Sequence, residues 1–240
     1  MATGDARTFT EASALPRLSG TSDARLSQYH ARAGILCGVP IQHLHASHAD
    51  DAAVTLCEAF FDDPLLLIVA PDEAKRRRWA TWFMSVPLQY GLRWGEVWSN
   101  DDTSAVAVWV QPDSGELGPG RMLRLGAARM PFRLGMAGTR RFFQAISATE
   151  PFHKTVHGPH WYLVAVGTRT ERQGQGLGSA LVEEGTSRAD AAGVPCYLET
   201  GTQSNIDFYS KRGFEIVGQT DLYGHTLTGM VRQPNGRPAP

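Results

Sequence analysis

The chain has 240 residues, with 23 Lys plus Arg against 24 Asp plus Glu, a formal net charge of −1 and 42% hydrophobic residues. This balance sets aside a protein whose main task is to coat nucleic acid, because neutralising phosphates needs a clear basic excess. Apolar runs such as 65–70 and 105–110 stop at six residues, where a membrane span needs ~20, so neither nucleic acid nor membrane is expected as a partner.

Residues 1–38 are rich in Ala, Thr, Ser, Arg and Gly without an apolar leader core, and are expected to form a disordered extension. Residues 233–240 read as a flexible tail and 39–232 as a single domain. Cys37, Cys57 and Cys196 form no CxxC pair and are odd in number, which fits a reducing, cytoplasmic compartment.

Within the domain, 39–44 is expected as a short strand and 49–61 as a helix, since Ala53, Leu56, Cys57, Phe60 and Phe61 recur at helical spacing. Asp62, Asp63 and Pro64 are expected to end it. A second helix is expected over 72–90, then strands at 95–99 and 105–111 joined by Asn100, Asp101 and Asp102. Residues 114–150 look like a helical insert, broken at Pro131 and around Gly138. Its only charges between Glu116 and Glu150 are six arginines, a pattern open to covering an acceptor site, touching phosphates or resting on a membrane surface.

Residues 161–168 (WYLVAVGT) are apolar on both alternating faces, as a strand covered on both sides requires. After a loop at 169–175 comes a helix over 176–192, ended by Gly193 and Pro195, and a strand at 196–200. This is a β-α-β crossover, so its two strands should be parallel. Ser204 or Asn205 is expected to cap a short helix at 206–212 closed by Gly213 and Phe214, and 215–219 and 225–232 end the domain as antiparallel strands.

The turn from strand 161–168 into the next helix reads Gln173, Gly174, Gln175, Gly176, Leu177, Gly178, Ser179. Three glycines in five residues let backbone N–H groups converge at the positive end of a helix, a place suited to phosphate. No Lys lies between Arg169 and Gly193, which argues against a nucleotide-binding P-loop, and GxGxG is a weak match to the dinucleotide GxGxxG.

The run WYLVAVGTRTERQGQGLGSALV, with YLET, Asn205, Phe208-Tyr209 and Gly213-Phe214, resembles the GNAT acetyltransferase superfamily. HWYL, AVAVW and FDDP are similar to its puromycin N-acetyltransferase-like branch. The resemblance spans about 40–232 and departs from the family pattern at Thr168, Arg169 and Thr170. It implies an α/β (α+β) fold: a twisted, mixed and mostly antiparallel sheet flanked by helices, with a parallel β4-α-β5 crossover and a splayed cofactor cleft for acetyl-CoA.

On that resemblance, the amides of Gln173, Gly174, Gln175, Gly176, Leu177, Gly178 and Ser179 take the pyrophosphate, and Val166, Gly167 and Thr168 pair with the pantetheine arm as an added strand would. An N–H near Val166 would polarise the thioester carbonyl, and Asn205 would lie near the cofactor arm unless it serves only as a cap. Tyr209 matches the tyrosine that protonates the departing thiolate, a role open to a phenol that stays protonated at neutral pH.

Glu199, in an otherwise apolar strand end, either deprotonates the acceptor amine or only accepts hydrogen bonds. Asp62 and Asp63 would attract an ammonium group, with His160 and Tyr162 bordering the acceptor cleft. His43, His45 and His48 have metal-like spacing but no convincing further ligand, and no metal is expected. His153 and His157 read as loop residues at the cleft. The expected activity is direct acetyl transfer from acetyl-CoA to the primary amine of a small molecule. A protein or peptide amine acetyltransferase and a catalytically silent acetyl-CoA-binding module are the alternatives.

Overall fold

The computed structural model describes residues 40–114 and 119–234. Seven strands, β1 (Ile41–His43), β2 (Gly95–Asn100), β3 (Ala105–Val110), β4 (Trp161–Thr168), β5 (Cys196–Thr200), β6 (Glu215–Leu222) and β7 (His225–Arg232), make one sheet in the order β1-β2-β3-β4-β5-β7-β6. Every neighbouring pair is antiparallel except β4 and β5. That parallel pair flanks the crossover helix α6 (Leu177–Ala192).

The helices preceding it are α1 (Ala49–Phe60), α2 (Pro64–Val69), α3 (Glu73–Trp94), α4 (Pro119–Arg124) and α5 (Met130–His153), and α7 (Gln203–Ser210) follows β5. One apolar core joins α1 and α3 to a sheet face through Leu56, Phe83, Leu88, Val106 and Val108. A second packs α6 on the opposite face through Leu181, Val182, Trp109 and Leu198, and a small third one joins Ile68, Ala145 and Leu227. Trp109 is fully buried because α6 carries Gly185 above it: a Cβ there would lie 2.2 Å from the indole.

β4 is central and covered on both sides, as its composition requires. Its register against β3 slips between Val108 and Trp109, which pair with Ala165 and Leu163, so Val164 is an extra residue and a β-bulge. The bulge turns the strand over. Trp161 and Leu163 face the α6 core, whereas Val164 and Ala165 both join the α1–α3 core. At the same place β5 departs: its pairing with β4 covers only Trp161, Tyr162 and Leu163 against Cys196, Tyr197 and Leu198. Beyond Leu163 the two strands splay and open a cleft.

Several expectations need correction. Asp62-Asp63-Pro64 ends α1 but also starts α2, because Asp63 accepts from the Leu65 amide as N-cap and Pro64 occupies the first turn. Helix α3 runs on to Trp94 through Pro87. The insert is broken at Gly135 (φ 71°, ψ 168°), close to the expected break around Gly138, and not at Pro131, which sits in the first turn of α5; Gly138 itself is helical and packs against Val69. His153 is the last residue of α5 and not a loop residue. Thr202, not Ser204 or Asn205, caps α7, accepting from the Asn205 amide at 3.3 Å.

Residues 1–39, 115–118 and 235–240, which include the expected extension, part of the insert and most of the tail, lie outside the described residues.

Candidate active site

A cleft of about 1960 Å3 follows the β4–β5 divergence. At one end is the glycine turn. Gly174 (φ 76°) and Gly176 (φ 81°) are left-handed, a conformation costly for other residues, and a Cβ on Gly174 would meet nothing within 4 Å. Open space there means the glycine serves the backbone path and not packing. Gly176 begins α6 without any side-chain cap, and the first helical bond runs from Ala180 N to Gly176 O. The amides of Leu177, Gly178 and Ser179 are therefore left to a ligand or water. Arg172 and Arg212 border the same end, Arg212 stacking over the Phe208 ring and reaching Ser179 Oγ.

The cleft's middle is the exposed edge of β4. Val166, Gly167 and Thr168 pair on one side with Ala107, Val106 and Ala105 of β3. Toward β5 they have no strand partner, so their backbone groups on that side face the cleft. Gly167 has its own constraint: a Cβ would lie 2.7 Å from Ala59 Cβ, so helix α1 seats directly on this strand.

Where the strands part, α2 and α7 bring Asp63 and Tyr209 together. Gly201, at the end of β5, makes this possible, since a Cβ there would strike the Pro64 ring at 2.7 Å. Burial raises the Asp63 carboxyl from 3.8 to about 6, against the lowering effect of the Leu65 amide and of His225. Burial, reinforced by the nearby Asp63 charge and only partly offset by Arg212, pushes the Tyr209 phenol above its ordinary range. One group is poised to exchange protons near neutrality; the other stays protonated.

Glu199 occupies a second polar centre. Its carboxylate accepts from the hydroxyls of Tyr162 (2.5 Å) and Tyr197 (3.1 Å) and from Thr149 of α5. Burial raises its pKa while those donors lower it. Beside it His153 stacks on Tyr197 with ring centroids 4.3 Å apart, and burial lowers its pKa to about 4, so it is neutral at physiological pH. The Gly158 carbonyl can only accept, so His160 donates to it through Nδ1 (2.9 Å), and the Nε2 atoms of His160 and His153 share a hydrogen bond of 2.7 Å.

Of the residues singled out from the sequence, the cleft brings together Asp63, His160, Tyr162, Val166, Gly167, Thr168, Gln173, Gly174, Gly176, Leu177, Gly178, Ser179, Glu199, Asn205 and Tyr209. Asp62 is outside its lining: its side chain is 82% exposed and pairs with Arg76 at 3.4 Å. Gln175 is outside as well, accepting from Arg172 Nε at 3.0 Å. His43 stacks on Trp98 and His45 caps a 3-10 turn.

Comparison with known proteins agrees with this geometry. The acetyltransferase (GNAT) family model matches residues 133–214, which hold the β4 edge, the glycine turn and Tyr209. Over this segment the chain is similar to GNAT-type acetyltransferases. It is 28% identical over 204 residues to an uncharacterized N-acetyltransferase of Schizosaccharomyces pombe, covering 80% of this chain and 83% of that one. Its fold is similar to a structure described as histone acetyltransferase HPA2 and related acetyltransferase from Corynebacterium glutamicum (TM-score 0.61, 23% identity, 81% and 95% covered). It is also similar to arylalkylamine N-acetyltransferase 2 of Aedes aegypti (TM-score 0.57, 14% identity, 82% and 99% covered).

Several cleft residues escape the sequence reading. Thr149 belongs to α5, as does His153, which the sequence placed at the cleft but in a loop, and their approach to Glu199 depends on Phe152 seating against Gly218 and Gly229 of the β6–β7 pair. Trp82 of α3 and Phe142 of α5 also line the cleft. In the sequence they look like ordinary helix-face aromatics. Three arginines of the insert drape over rings, Arg121 on Trp94, Arg133 on Trp82 and Arg141 on Tyr223.

Proposed function

We propose that this protein moves an acetyl group from acetyl-CoA to the primary amine of a small molecule by direct transfer, in the manner of the puromycin N-acetyltransferase-like branch and in the cytoplasm. The observation that carries the reading is the meeting of Asp63 and Tyr209 where β4 and β5 part. A carboxyl of pKa about 6 can take a proton from an ammonium or from the attacking amine, and a protonated phenol can give one to a leaving sulfur.

The residues fit acetyl-CoA: an uncapped helix start with left-handed glycines for pyrophosphate, and an unpaired strand edge for the amide-bearing arm. Bound there, acetyl-CoA supplies the activated thioester. Asp63 collects the amine proton, the amine nitrogen forms a bond to the carbonyl carbon, an N–H of the β4 edge steadies the carbonyl oxygen, and Tyr209 passes its proton to sulfur as the C–S bond breaks. Glu199, held by three hydroxyl donors, orients the acceptor end.

Acetyl-CoA-dependent thiol release with a panel of primary amines, with the acetylated product identified by mass, tests this reading. Acetylation of lysine peptides in preference to every small amine, or binding of acetyl-CoA with no transfer to any amine, overturns it.

A further inference from the structure

The acceptor half of the cleft has an uneven distribution of charge and apolar surface. Four acidic side chains line the whole cleft among the described residues. Glu150 is paired with Lys154 at 2.7 Å. Asp207 is exposed and accepts from Gln203 at 2.8 Å. Glu199 is engaged by the phenols of Tyr162 and Tyr197. Asp63 accepts from one backbone amide, that of Leu65. Asp63 is thus the half-buried cleft carboxylate with no side-chain partner, and the other three are each engaged by a side chain.

The walls around Asp63 are apolar. Phe60, Leu65, Trp82, Phe83, Phe142 and Ile146 line them from α1, α2, α3 and α5. Phe83 and Phe142 meet edge to face at 5.5 Å. Ile146 lines the cleft yet is 47% exposed, leaving apolar surface that a ligand would remove from water. Phe60, Leu65, Phe83, Phe142 and Ile146 offer no side-chain hydrogen-bond partner to a polar or second charged group laid against them.

We infer that the acceptor is a monoamine with a bulky apolar tail, aromatic or branched aliphatic in size, whose ammonium meets Asp63 and whose tail lies between Trp82, Phe142 and Ile146. The inference rests on the proposed amine acetylation and names its substrate class. Peptide amines and polyamines are the excluded classes: the former bring polar backbone against these walls, the latter a second charge.

The test uses the full-length chain with saturating acetyl-CoA and compares kcat/KM for 2-phenylethylamine and hexylamine with that for putrescine and agmatine. The apolar amines should be favoured by roughly 30-fold or more, the scale set by a few methylenes in a matched pocket. Phe142→Asp should remove most of that preference, while Phe132→Ser, at a side chain 90% exposed and outside the cleft lining, should leave it intact.

Equal or better use of putrescine or agmatine overturns the inference while amine acetylation stands. Equilibrium binding of the four amines with CoA present keeps the two readings separate. If no amine is turned over, tighter binding of 2-phenylethylamine than agmatine, lost in Phe142→Asp, supports the inference, and its absence overturns it.

Discussion

Asp63 holds two jobs that pull in opposite directions. As N-cap of α2 it accepts from the Leu65 amide, which favours its ionised form, yet burial holds its pKa at about 6. A carboxyl whose folded pKa lies above its unfolded value stabilises the fold at low pH and loses that contribution as pH rises through about 6. A shift of that size corresponds to up to about 3 kcal/mol at neutral pH. Asp63→Asn keeps a capping side chain, so its melting temperature should exceed wild type at pH 8 and converge with it near pH 4.

The same substitution should lower kcat by about 10²–10⁴ and abolish the fall in kcat/KM that wild type shows as pH drops through about 6. Glu199→Gln should keep that acidic limb, and losing it would make Glu199 the base instead. Tyr209→Phe should lower kcat and leave acetyl-CoA affinity unchanged in a binding titration, because burial commits the phenol to its protonated form.

At the scale of elements, close approach at glycines sets where helices sit. Gly185→Ala would drive a methyl into the fully buried Trp109 ring and should cost about 1–3 kcal/mol, visible as a lower denaturation midpoint with no change in acetyl-CoA KM near threshold conditions. Gly174→Ala meets open space but keeps a positive φ, so it should spare most of the stability and raise acetyl-CoA KM.

The β4-α6-β5 unit was legible because its signals are local: a doubly apolar strand, glycines before a helix, and Gly193 at its end. Helix α2 was not, since Leu-Leu-Leu-Ile-Val carries no amphipathic period and the Asp-Pro before it serves equally as a stop or a start. The raised carboxyl of Asp63 depends on Gly201 meeting the Pro64 ring, a contact between distant segments that no local pattern encodes.

Across the whole molecule, two sheet halves are joined at the split by three residue pairs. Around it, α6 ties them through Arg232 with Asp190 (2.7 Å to each oxygen) on one half and Arg188 with Glu96 (3.4 Å) on the other. A ligand that binds along the β4 edge and the α6 start would reinforce that seam. CoA at a hundred times its dissociation constant should stabilise the fold by about 2.7 kcal/mol, read as a concentration-dependent rise in melting temperature. Hydrogen exchange should slow together at 164–168 and 174–179. The near-neutral charge balance of the chain resolves into separate regions, arginines on the insert and two half-buried carboxylates at the cleft.

Phe152 fits a trough that β6 and β7 leave by carrying glycine at 218 and 229, and α5 loses its helical path at Gly135 well before it. The acceptor wall is therefore fastened at one end and interrupted near the other, with its pocket-facing side chains in between. Its pocket-facing positions can change without re-registering a strand or disturbing the glycine turn, provided Gly138 and Ala145 keep their contacts with Val69, Ile68 and Leu227. On the proposed reading, altering that one helix would change which amine is acetylated and leave the acetyl-CoA end of the cleft as it is.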